Sequence, residues 1–73
     1  MNALSAAKIG QPQTVVCLRT QDDAVLQKLM AFGILPGCNL VLEQRFPSYI
    51  IMVGRTRAAL DWETAQSIFV ESR

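Results

Sequence analysis

Between residues 26 and 37 the chain reads Leu26-x-x-Leu29-Met30-x-x-Gly33-Ile34-Leu35-Pro36-Gly37, and that spacing leaves little choice of local structure. Val25, Leu29 and Phe32 fall on one helical stripe, Leu26 and Met30 widen it, and Gln27 and Lys28 point away, so an amphipathic helix is predicted over Asp22 to Phe32. Thr20 or Asp22 can accept hydrogen bonds from the first-turn amides, and the two aspartates favour the positive end of the helix dipole. Gly33 stops the helix by supplying a left-handed cap, and Pro36-Gly37 then supplies a type II turn. Helix, cap and turn form one rigid corner, whose structural residues are Leu26, Leu29, Gly33, Pro36 and Gly37.

Everything around that corner reads as short strands. Gln13 to Arg19 is rich in β-branched residues and flanked by Pro12 and a polar run, with Val16 and Leu18 predicted on one face and Val15 and Cys17 on the other. Cys38 to Phe46 alternates, placing Cys38, Leu40, Leu42 and Phe46 on one face and Asn39, Glu43 and Arg45 opposite. Tyr49 to Val53 is a nearly continuous apolar run, read as a strand covered on both faces. Gly54 and Arg55 turn the chain into Arg57 to Leu60, Asp61 caps a short helix through Ser67, and Ile68 to Glu71 closes the order. Met1 to Gln11 is read as one loose turn.

Seventy-three residues allow one domain, 1–73, and mass scaling predicts roughly 4,500 Å² of folded surface against about 11,700 Å² extended. Hydrophobic residues make up 51% of the chain and charged ones 18%, which excludes a disordered tail and requires a dense small core. Five short strands with one helix and one short helix bury such a core best as a curled sheet. The predicted class is therefore mainly β, a small five-stranded SH3-like barrel.

Several chemistries are excluded by what the chain does not contain. With no histidine there is no Ser-His or Cys-His pair and the commonest metal ligand is missing. Asp22, Asp23, Asp61 and Glu63 sit at helix starts, where capping is the simpler role than acid or base catalysis. Cys17 and Cys38 have no CxxC spacing and are read as buried, reduced core thiols, consistent with a cytoplasmic setting for a chain whose start lacks a basic segment and a long apolar run. The longest uncharged stretch, Leu29 to Leu42, is broken by glycine and proline and is too short to span a bilayer. A formal charge of +1 supplies no strong field toward nucleic acid or anionic lipid.

One hairpin carries a sharper expectation. Arg45, Phe46 and Tyr49 bring a charge and two aromatics to the Pro47 turn, with Arg55 and Arg57 on the adjoining connection, and arginine and aromatic groups dominate binding hot spots. Two readings follow, a partner-binding edge or simple barrel core with solvated arginines.

The corner string, followed in register by Phe46-Pro47, the Gly54 turn, Ala58-Ala59-Leu60 and Ala65-x-x-Ile68-x-Val70, resembles the FeoA family of small accessory proteins of bacterial ferrous-iron uptake. The resemblance covers about Leu4 to Glu71. The tip after Pro47 is shorter than the family's usual one, and Asp61 stands where a basic residue commonly follows Ala-Leu. The resemblance implies a non-enzymatic cytoplasmic module that docks on FeoB, the ferrous-iron permease with a cytosolic GTPase domain, and meets the membrane only through that permease. It also implies an association with transition metals, without a cofactor; weak binding of Fe²⁺ or another transition metal stays open. The same module occurs at the C-terminus of iron-dependent repressors. The competing readings are a nucleic-acid-binding barrel using the same arginines and aromatics, and a diverged interaction module unrelated to iron. A homodimer through Met30, Phe32 and Leu35 at the helix corner is a further possibility.

Overall fold

The computed structural model describes residues 1–72. Six strands form one antiparallel sheet: β1 (Asn2–Ala3), β2 (Pro12–Leu18), β3 (Asn39–Gln44), β4 (Tyr49–Val53), β5 (Thr56–Leu60) and β6 (Ile68–Ser72). They are arranged in the order β1-β6-β2-β3-β4-β5. Helix α1 (Asp23–Ala31) connects β2 to β3, and the five-residue α2 (Trp62–Gln66) connects β5 to β6. This is the predicted mainly-β barrel with one strand added. The loose turn expected before the first long strand resolves into β1 and a 3-10 turn, Leu4–Ala6.

The corner follows the predicted chemistry atom by atom. Asp22 accepts a hydrogen bond from the Ala24 amide at 2.9 Å, and Thr20 Oγ1 accepts from the Asp22 amide at 3.1 Å. At the other end Gly33 takes φ +79° and donates to the Met30 carbonyl, while Ile34 donates to that of Leu29. This pair of bonds is the Schellman arrangement, and its characteristic apolar contact joins Leu29 and Ile34, both fully buried in the core. Gly37 takes φ +94° inside a turn closed by the Cys38 amide on the Leu35 carbonyl at 3.0 Å, the type II geometry expected of Pro36-Gly37.

The core gathers Leu4, Val15, Leu29, Ile34, Leu40, Leu42, Ile51, Leu60, Ile68 and Val70, so every strand from β2 to β6 contributes, as do α1 and the 3-10 turn. The exposed surface is 4492 Å², in line with the value the mass predicts. Leu18, Val25, Phe32, Cys38, Tyr49 and Val53 pack against the core while keeping part of their surface in solvent.

Two β-bulges change which residues face the core. Pairing with β6 runs Val15 to Val70 and then Cys17 to Phe69, so Val16 is an extra residue. It is exposed, the phase shifts by one, and Leu18 joins Val15 on the core side, against the expected pairing of Val16 with Leu18. Cys17 is therefore half-buried away from the core, with its Sγ 3.9 Å from Met1 Sδ, and only Cys38 fits the expectation of a core-packed thiol. Both thiols are free. In β3 the register skips between Leu42 and Gln44, and the strand ends before Phe46. Phe46 consequently leaves the apolar face and stands 85% exposed. In β4 only Ile51 is fully buried; its neighbours are half-covered rather than covered on both faces.

Candidate functional site: an aromatic surface beside the last hairpin

Of the five residues predicted to form a partner edge, the barrel uses two internally. Arg45 lies just past the β3 bulge, which turns its side chain back across the sheet. Its Nε donates to the Ser5 carbonyl at 3.2 Å and its second guanidinium nitrogen donates to the carbonyl of Ala7. Arg45 thus clamps the N-terminal turn to the end of β3, a job for a planar fork of donors. Arg57 donates to Glu43 Oε1 at 3.0 Å across a surface-exposed ion pair.

The remaining three do not form one patch. Tyr49 pairs with Leu60 at one end of the β4–β5 hairpin, whereas Arg55 sits in the turn at the other end, beyond the Val53–Thr56 pair. Four steps along the strand, roughly 13 Å, separate Tyr49 from Val53. Arg55 is exposed there.

What gathers around Tyr49 instead is apolar. Pro47, Ser48, Tyr49, Ala59, Leu60, Asp61 and Trp62 line one shallow cleft between the β3–β4 tip and the start of α2. Phe46, joined to Pro47 by a cis peptide bond, stands at its margin. Phe46 is 85% exposed and Trp62 58%, and they are the two most exposed large hydrophobic side chains among the described residues. Trp62 was not singled out in the sequence. Its exposure follows from α2, whose single turn and a half buries Thr64 and Ala65 and leaves its first position facing solvent. The signal available beforehand was a lone tryptophan directly after a capping aspartate, on a helix too short to bury two faces.

Asp61 fixes that first position. Its Oδ1 accepts from the Thr64 amide at 2.8 Å. The Thr64 hydroxyl and backbone amide hold the Asp61 carboxyl below the ordinary aspartate range, against a smaller desolvation effect, with Lys28 helping. Asp22, likewise, serves as a cap. At the helix corner, Met30 and Leu35 are exposed and Phe32 is half-buried against the core.

Among the described residues, no group of three or more cysteine, aspartate or glutamate side chains is placed to hold a metal ion. Among the described residues the side chains do not assemble the donor set that a transition-metal site requires. No helix is long and apolar enough to cross a membrane.

Comparison with known proteins agrees with the barrel. A crystal structure of the iron uptake regulatory protein FeoA superposes with a TM-score of 0.88 at 26% identity, covering 99% of this chain and 96% of that one. Stenotrophomonas maltophilia FeoA, solved with zinc and described as an SH3 domain protein, superposes at 0.81 with 23% identity, over 93% of this chain and 87% of the other. A manganese-dependent transcriptional repressor matches at 0.90 with 24% identity, and there the chain corresponds to only 41% of the larger protein. No protein of curated function matches the sequence. The family model of the FeoA domain matches residues 2–72, nearly the whole chain, with the helix corner, the Gly54 turn and the closing α2–β6 unit all inside it; the protein belongs to the FeoA family.

Proposed function

We propose that this protein is a non-enzymatic accessory of ferrous-iron uptake, working in the cytoplasm by contact with the cytosolic GTPase domain of a FeoB-type permease. Membership of the FeoA family supports the accessory role. The observation that carries a contact mechanism is the exposed aromatic surface: Tyr49 and Trp62 line one cleft with Pro47, Phe46 is bonded to Pro47, and the core uses neither Phe46 nor Trp62. Large aromatic side chains in a shallow cleft are the typical anchors of a protein interface. In this reading Phe46, Tyr49 and Trp62 anchor the contact, and Arg45 acts by positioning the tip rather than by touching the partner. Arg57 stands on β5, and Arg55 in the β4–β5 turn at the end of the hairpin away from the cleft. The nucleic-acid alternative loses ground because Arg45 and Arg57 are occupied by carbonyls and a carboxylate of the protein itself.

The test is an NMR titration of the labelled chain with the GTPase domain of the cognate permease, with and without bound nucleotide. Saturable shifts at Phe46, Tyr49 and the Trp62 indole are expected. Shifts confined to the opposite side of the barrel would remove the aromatic surface from the mechanism, and no shifts in any nucleotide state would remove the GTPase domain as partner.

A further inference from the structure

The sheet is open at β5, the last strand in the order β1-β6-β2-β3-β4-β5. The two-residue Gly54–Arg55 turn, with a positive φ at Gly54 alone, is the type II′ connection of a tight hairpin. Val53 and Thr56 are therefore its first hydrogen-bonded pair, and pairing alternates from there. Thr56, Ala58 and Leu60 direct their N–H and C=O groups to β4, while those of Arg57 and Ala59 point outward. Among the described residues no backbone group of another element meets them. Natural edges are commonly blunted by charged side chains, proline or a bulge; β5 has no proline or bulge, its ladder to β4 is regular over all five pairs, and its one charge, Arg57, is paired with Glu43 of its own chain.

We propose that this edge binds a second copy of the same chain, β5 against β5 in antiparallel register, with Ala58 facing Ala58 across a two-fold axis. The strand is self-complementary in that register. Arg57 faces Ala59 of the second copy, and Ala59 faces Arg57, so every outward N–H and C=O finds a partner. Beyond those rungs the turn residue Arg55 comes abreast of Asp61 of the second copy, and the symmetric pair repeats it. Asp61 is extended, with φ −78° and ψ 171°, so the strand course continues to it beyond Leu60. Thr64 holds the carboxylate, with its amide on Oδ1, and the remaining lone pairs can accept from a guanidinium. Arg57 does not meet its counterpart as a bare charge, because Glu43 is 3.0 Å from its Nε. A formal charge of +1 per chain adds little repulsion between copies. The cross-strand complement of opposite charges at both ends and small alanines at the centre selects a second copy over an unrelated strand.

The interface is one strand wide, so association depends on concentration. Sedimentation velocity on the full chain from micromolar to millimolar concentration is expected to show a reversible monomer–dimer equilibrium, with the amides of Arg57 and Ala59 gaining protection from hydrogen exchange as dimer forms. Ala59→Pro removes an outward N–H without removing a rung to β4, and is expected to be monomeric throughout. Arg55→Asp places like charges opposite each other and is expected to weaken the dimer about tenfold with the fold unchanged by circular dichroism. This second variant decides the matter if the proline variant fails to fold. A wild-type chain that stays monomeric at every concentration overturns the proposal, leaving the edge to an extended segment of another protein. A dimer that survives both variants overturns it too, by placing the contact elsewhere, the Met30–Leu35 corner included.

Discussion

Arg45 spans 40 residues of sequence to reach Ser5 and 38 to reach Ala7, and no spacing rule connects these positions. Its place in the sequence, a charge beside aromatics, has the pattern of a binding hot spot; its real neighbours are set by the bulge that bends the end of β3. Replacing it with alanine is expected to destabilise the barrel by about 1 kcal/mol in urea unfolding, since hydrogen bonds to a charged donor are lost and water replaces them incompletely. Amides from Leu4 to Ala7 should exchange faster in the same variant, while α1 keeps its protection. Asp61 makes the opposite case, a residue whose role was legible from its place ahead of a short helix. Its folded-state pKa lies below the unfolded value, so its contribution to stability is fully present above about pH 4 and is lost as pH falls through the folded value. Asp61→Asn should flatten the acid limb of the stability curve in that window, as followed by fluorescence in urea at a series of pH values.

At the scale of elements, the corner was readable to the residue because each of its signals is local. A glycine with positive φ, a proline at a turn's first central position and an i, i+3, i+4 stripe need no knowledge of the rest of the chain. Gly33→Ala tests how far that holds. No atom lies within 4 Å of the position a methyl group would occupy, so the cost is backbone conformation alone, about 1–2 kcal/mol, and Gly33→Asn should cost less. Leu29→Ala should be worse, about 3 kcal/mol, because Leu29 is fully buried and links the Schellman contact to the sheet. Thermal and urea denaturation of the three variants would rank them. Strand facing was less legible. Alternation predicts a face correctly only while the register is unbroken, and one extra residue at Val16 and another near Glu43 reversed the expected faces of Leu18 and Phe46. A bulge is a property of the pair of strands, so neither strand's sequence contains it alone.

For the whole molecule, folding separates the side chains into a core and a surface that the composition cannot distinguish. The aromatic residues illustrate this: Phe32 and Tyr49 pack on the core, while Phe46 and Trp62 are left in water. Trp62→Ala should therefore leave the unfolding free energy within about 0.5 kcal/mol of the parent, as for exposed positions generally, while weakening partner binding by at least about tenfold if it anchors the contact. In the parent chain, whose one tryptophan is Trp62, a shift of the indole emission on partner addition reports the same contact directly. Half of the proposed site was visible in advance, through Phe46 and Tyr49, and the other half depended on how α2 is oriented. The pairing of β1 with β6 has its own consequence. Asn2 lies opposite Val70 and Ala3 opposite Phe69, so the chain enters and leaves the barrel through neighbouring strands roughly 5 Å apart. A unit whose entrance and exit coincide can be spliced into a surface loop of a host protein without prising the host's loop open, and such a chimaera should fold with both partners' native spectra.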